Sequence, residues 1–228
     1  MPTPPKAVIF DLDGVLLDTE PLYTAATQAV VSEFGKTYTW AIKRRIMGGS
    51  AQHGAETIVA ELGLPISARE YLARRRCILE RLFKDTQPIA GAPALVEALA
   101  RRNLPLAIAT SSERTLFELK TQRHAWFRWF SACVCGDDSR IGHPKPAPDI
   151  FHVAAAELGV RASDCIVFED SPSGVRAAVA SGAQVVARRD PALSLEDLSA
   201  ADVIVERYAE VDLENLLQAE HAVVPLAL

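Results

Sequence analysis

Apolar and polar positions follow two rhythms along this chain, and the places where the rhythm changes divide it. Ala7-Val8-Ile9-Phe10 is a continuous apolar run near the N-terminus, which predicts a short buried strand. The spacing then turns helical. Residues 21–34 carry Leu22, Ala25, Ala26, Ala29 and Val30 at helix-compatible intervals. A capping residue in Asp18-Thr19-Glu20 precedes them, and Gly35 ends them. Ser50 is placed to cap a helix through Ile58, Val59 and Leu62 that stops at Gly63. Ser67 is placed to cap a longer one through Tyr71, Leu72, Ile78, Leu79, Leu82 and Phe83. No strand pattern interrupts residues 23–87, so this stretch is expected to be an all-helical insert.

From Pro88 the pattern alternates. Helices are predicted near residues 94–100, 114–123, 150–158 and 173–180. Between and after them lie apolar runs at 104–109, 132–135, 165–168, 184–187 and 203–205. Strands alternating with helices of this length predict an α/β fold with a doubly wound, mostly parallel sheet. Residues 1–17 and 88–228 are expected to form one core domain, and 18–87 a helical domain inserted into it.

Composition narrows the function. With 228 residues, 49% of them hydrophobic, a sizeable core is available. A net charge of -5 argues against nucleic acid or an anionic membrane as the main partner. The basic runs at 43–45, 74–76 and 101–102 fall in helix-like segments and read as solvated faces. Cys133 and Cys135 share one face of a predicted strand, but no second Cys/His pair stands at zinc spacing; reduced core thiols are expected. No signal-peptide pattern and no bilayer-length apolar run occurs, so a cytoplasmic location is expected.

Chemistry collects at the predicted carboxyl ends of the strands, where open α/β sheets bind ligands. The first strand delivers Asp11 and Asp13, with Gly14 allowing a sharp bend. The strand before residue 110 delivers Thr110, Ser111 and Ser112, and the one before residue 169 delivers Glu169 and Asp170. Between them Lys145 is held in His143-Pro144-Lys145-Pro146. Each group has a bland alternative: Thr-Ser-Ser and Glu169-Asp170 can cap helices, and Lys145 can be a surface lysine. Together they describe phosphoryl chemistry. Carboxylates with Asp170 suit Mg²⁺, and a hydroxyl and an ammonium suit phosphate oxygens. One carboxylate can attack phosphorus while a second, two residues on, moves protons.

Asp11-Leu12-Asp13-Gly14-Val15-Leu16-Leu17-Asp18-Thr19, Thr110, Lys145-Pro146 and Glu169-Asp170 resemble the four motifs of the haloacid dehalogenase superfamily. The helical insert resembles its type-1 cap, as in subfamily IA. Core segments such as Ala109-Thr110-Ser111-Ser112 and Lys145-Pro146-Ala147-Pro148-Asp149 are similar to the pseudouridine-5′-phosphatase-like hydrolases. The resemblance implies a Rossmann-like core and a Mg²⁺-dependent phosphatase acting on a small phosphomonoester, such as a sugar phosphate or pseudouridine 5′-phosphate. It implies Asp11 as nucleophile and Asp13 as general acid/base, with the Asp13 carbonyl on the metal. Thr110, Ser111 and Lys145 become phosphate binders, Asp170 a metal ligand, and Glu169 a supplement to the metal shell. Close relatives with this Lys-Pro loop lead us to expect a cis Lys145-Pro146 bond. Substrate contacts from the cap side are expected from Glu20, Gly48, Gly49, His53 and Ser112. A monomer or weak homodimer is expected.

Two other classes compete. A β-phosphoglucomutase-like mutase shares the motifs, but that branch carries a histidine where this chain has Tyr23 and an arginine where it has Ala51. A phospho-aspartate switch module also uses strand-end acids and a lysine, yet lacks both an acid/base two residues after the aspartate and a helical insert.

Overall fold

The structure, a computed structural model, describes residues 4–46 and 50–218. Its strands are β1 (Ala7–Phe10), β2 (Leu106–Thr110), β3 (Ala132–Cys135), β4 (Cys165–Glu169), β5 (Gln184–Arg188) and β6 (Val203–Val205). All pair in parallel, in the order β3-β2-β1-β4-β5-β6. The first strand of the chain is thus a central one. Its connections run outward through β2 and β3, then return to the other side of β1 at β4. That reversal opens a crevice at the carboxyl ends of β1 and β4.

β1 has no polar residue because both its faces are covered. Ala7 and Ile9 enter one core layer with Phe151 and Ala154 of α7 (Asp149–Glu157) and Val175 of α8 (Pro172–Ala180). Val8 and Phe10 enter the other, with Leu95, Val96 and Leu99 of α5 (Ala92–Ala100). Phe10 stacks on Phe168 of β4, ring centroids 4.6 Å apart.

Between β1 and α5 come α1 (Glu20–Ser32), α2 (Trp40–Ile46), α3 (Ala51–Leu62) and α4 (Ala68–Leu82), with no strand among the described residues. They bury a core of their own around Val30, Val31, Ile58 and Tyr71. The chain enters and leaves this segment side by side: Leu17 bridges to Pro88, and Asp18 N donates to Gln87 O at 2.8 Å. Ser50 and Ser67 cap α3 and α4 by accepting from His53 N and Glu70 N. Gly63, at φ +58°, closes α3. Thr19 departs from expectation. It precedes α1 without a side-chain cap bond, because its hydroxyl is given to Asp13. No helix among the described residues is long and apolar enough to cross a membrane.

Candidate active site

Asp11 N donates to Phe168 O at 2.9 Å, so the chain leaves β1 still tied to β4 and its carboxylate emerges in the crevice. Gly14 then turns with φ +77°. A Cβ built on it would lie 1.9 Å from Asp170 Oδ2, so only glycine lets Asp170 approach the loop. The loop hangs from the far side of the sheet as well. Arg188 Nη1 donates to Gly14 O at 2.6 Å, and the Tyr208 hydroxyl to Val15 O at 2.8 Å.

Two electrostatic clusters meet here. In the first, Lys145 Nζ donates to Asp11 Oδ1 at 2.7 Å, Glu169 Oε1 at 2.6 Å and Ala109 O at 3.1 Å. The Lys145-Pro146 bond is cis, as expected. Burial pushes Asp11 up to about 7; the negative charges of Glu169 and Asp13 add to it, and Lys145 offsets only part. Burial likewise raises Asp170 well above the usual carboxylate range, reinforced by Glu169, Asp11 and Glu20. Burial opposes the charge on Lys145, but Asp11 and Glu169 overcome it and hold the ammonium protonated.

The second cluster surrounds Asp13. Its Oδ1 accepts from Thr19 Oγ1 at 2.5 Å and Lys120 Nζ at 2.6 Å; its Oδ2 accepts from Ser112 Oγ at 2.9 Å and Lys120 Nζ at 2.7 Å. Burial alone would raise Asp13, yet Lys120 and these hydrogen bonds carry it below its ordinary value. Lys120, from α6 (Arg114–Thr121), has a side chain 0% exposed. Sequence reasoning passed over it as a site residue. The signal was its place on the same helical stripe as Leu116 and Phe117.

The helix-cap reading fails for the Thr-Ser-Ser segment, and the surface reading fails for Lys145, which is buried in the cleft. Thr110, Ser111 and Ser112 do not cap α6, whose N-cap is Glu113 with no side-chain bond. Thr110 Oγ1 instead accepts from Ser112 N at 3.1 Å. The loop is clamped by Gly136 N donating to Ser112 O at 2.9 Å, and a Cβ on Gly136 would come 2.4 Å from Ser111 O.

Asp11, Asp13, Thr110, Ser111, Ser112, Lys145 and Asp170 all line one cleft of about 560 Å³. Its opposite wall comes from the helical segment and includes Glu20, Tyr23, Lys43 and Arg75. Glu20 is paired with Lys43 at 3.0 Å. Glu169 and His53, both expected at the site, are absent from the cleft lining. The Glu169 carboxylate is engaged at both oxygens. Oε1 is held by Lys145, while Oε2 accepts from Asp170 N, Ser171 N and Ser171 Oγ; the carboxylate is tucked so closely under α8 that a Cβ on Gly174 would fall 1.8 Å from it. His53 is exposed on the first turn of α3 and does not line the cleft. Gly48 and Gly49 lie outside the described residues.

The donor set fits a hard divalent cation. Lys145 is ion-paired with Asp11 and Glu169 while the half-buried Asp170 stands nearby, a deficit of positive charge that an oxygen-seeking ion would offset. Among the described residues no three His, Cys, Asp or Glu side chains meet as a metal-holding group. The carboxylates available to such an ion in the cleft include those of Asp11 and Asp170.

A parallel sheet with acidic, hydroxyl and ammonium groups gathered at its central switch point, opposed by a helical segment, defines a class. Residues 5–182 match the haloacid dehalogenase-like hydrolases, and the chain belongs to that family. It is a phosphoric monoester hydrolase of that family. It is 44% identical over 206 residues to a probable pseudouridine-5′-phosphatase of Drosophila melanogaster, covering 89% of each chain. It is 39% identical over 204 residues to (DL)-glycerol-3-phosphatase 2 of Arabidopsis thaliana, covering 87% of this chain and 85% of the relative. Among solved structures, a family IA, variant 3 hydrolase from Entamoeba histolytica superposes with a TM-score of 0.80 at 26% identity, covering 94% and 98% of the two chains.

Proposed function

We propose that this chain hydrolyses a small phosphorylated metabolite, a sugar phosphate or a nucleotide-like phosphomonoester such as pseudouridine 5′-phosphate, through an aspartyl-phosphate on Asp11. The observation that carries the reading is the pair of carboxylates two residues apart in one cleft. Asp11 is held at 2.7 Å by the Lys145 ammonium, and Asp13 lies in a separate hydrogen-bond cage. An Asp11 oxygen attacks phosphorus while Asp13, having first taken a proton from solvent water, gives it to the departing ester oxygen. Asp13 then takes a proton from water, which attacks the phosphoryl group and frees Asp11 and inorganic phosphate. Lys145 and Thr110 offer charge and a hydroxyl to the phosphoryl oxygens. Mg²⁺, held by Asp11, Asp170 and the Asp13 carbonyl, would screen the phosphate charge so that an anionic nucleophile can approach. Residues 18–87 act as the cap that closes the cleft and selects the substrate.

The test is phosphate release from a panel of sugar phosphates and nucleotides with Mg²⁺, beside acid-quenched trapping of labelled phosphate on the protein. Stoichiometric phosphate, and label that disappears in Asp11→Asn, are expected. A mutase remains the second reading because cations do line the helical wall. Lys43 is paired with Glu20 and Arg76 with Glu80 and Glu113, but Arg75 lies over the Tyr23 and Tyr71 rings at 6.0 and 5.6 Å. Isomerisation of β-glucose 1-phosphate with little free phosphate would favour it.

A further inference from the structure

The reaction above gives Lys120 no task, although this lysine is fully buried and sits beside the reacting carboxylates. Burying an ammonium is costly unless it is paired, and a buried ion pair stabilises a fold little better than an apolar pair of the same volume. Its placement therefore calls for another reason. The side chain leaves α6 and brings its Nζ over the rings of Phe83 and Tyr23, 4.6 and 5.1 Å from their centroids. Those rings pack edge to face at 5.2 Å, forming an aromatic wall that leaves the ammonium little freedom. Beside that wall Nζ meets both oxygens of Asp13, Ser112 Oγ at 2.8 Å and the Tyr23 hydroxyl at 2.9 Å. It does not join the Lys145 cluster around Asp11. Tyr23 belongs to α1 and Lys120 to the core, so one ammonium ties Asp13 to both sides of the cleft.

We propose that Lys120 is the positioning residue for Asp13, fixing the orientation of its carboxylate at the cleft wall and linking that orientation to the helical segment through Tyr23. The proposal rests on the acid/base reading of Asp13 given above.

The experiment is a double-mutant cycle between Lys120→Met, whose apolar chain still fills the same space, and Asp13→Asn. Lys120→Met is expected to lower kcat roughly 10- to 100-fold, the range of coupling between groups in direct contact, with KM little changed because Lys145 and Thr110 remain. In the Asp13→Asn background the same substitution is expected to cost nothing further. A loss that multiplies fully with Asp13→Asn, or one that falls on KM instead of kcat, overturns the proposal. Should Lys120→Met not fold, Tyr23→Phe removes only the hydroxyl. A kcat loss of roughly 2- to 5-fold is expected, vanishing in Asp13→Asn; persistence of that loss overturns the proposal. If Asp13→Asn itself turns over at the wild-type rate, the acid/base reading fails and takes the proposal with it. If Asp13→Asn is slow while Lys120→Met matches wild type, the positioning role alone fails.

Discussion

Asp11 and Asp13 are two residues apart on one loop, yet they live in opposite electrostatic worlds. Around Asp11, the single ammonium of Lys145 is shared with Glu169 while Asp170 stands nearby, and burial drives Asp11 up to about 7. Around Asp13, an ammonium and two hydroxyls saturate one carboxylate and pull it below its ordinary value. Paired acids whose surroundings push them apart are the mark of divided labour. In the proposed mechanism the starved cluster would take a cation and the phosphoryl group. The saturated cluster already holds its charge, so in the proposed mechanism its task would be to be oriented and to exchange a proton.

The sharpest way to test this division is to neutralise one acid at a time. Asp11→Asn should reduce turnover on the order of 10⁴-fold or more, because an amide of the same shape is a poor nucleophile and no phosphoenzyme can form. Trapped labelled phosphate on that variant would break the assignment. Asp13→Asn should cost less, about 10²- to 10⁴-fold, with phosphoenzyme still detectable in a rapid quench. Equal losses in both variants, and no intermediate in either, would erase the distinction.

A third change attacks the geometry that keeps the clusters close. Gly14→Ala places a methyl 1.9 Å from Asp170 Oδ2 and forces a side chain onto φ +77°. It should lower stability by about 1–3 kcal/mol and weaken Mg²⁺ binding, read by denaturant unfolding and by titration of the metal. Unchanged metal affinity would show that Asp170 does not depend on this approach.

The smallest effect is a pH dependence. The folded protein holds a proton on Asp11 up to about 7, against 3.8 ordinarily, so between those values the folded state binds more protons than the unfolded one. The stability Asp11 contributes is thus present below 3.8 and lost as pH rises through about 7. A bound cation replaces that proton, so the rise in Tm produced by Mg²⁺ over chelator should be larger at pH 8 than at pH 6. Equal shifts at both pH values would remove Asp11 from the metal site.

The two clusters were not equally legible. Strand-end acids, the Lys-Pro loop and the alternation from residue 88 onward announce themselves, because buried strands leave apolar runs and their ends leave polar breaks. β1, β3 and β6 fall on the residues expected, and the other expected elements differ by a residue or two at their ends. α2 and the short helix Leu213–Leu216 were not individually expected. The cage around Asp13 was hidden. A lysine in a helix reads as solvated, and only contact between α6, α1 and the loop after β1 shows that Lys120 points inward. Thr19 misled in the same way, since its type and place suit a helix cap equally well. Glu169 was legible as a strand-end acid, but its bonds to Lys145 and to the main-chain amides before α8 show only in the packing.

The loop after β1 is fastened at Gly14 by Arg188 and at Val15 by Tyr208, from the other end of the chain. During synthesis β1 emerges early but finds its partners only when β2 and β4 follow, from residues 106 and 165 onward. The helical segment, with its local contacts and separate core, can assemble while β1 waits. The bonds that fasten the loop after β1 can therefore form only once residues 188 and 208 have been made. A ribosome-bound chain lacking its last β strands is expected to hold folded helices and no competent Asp11.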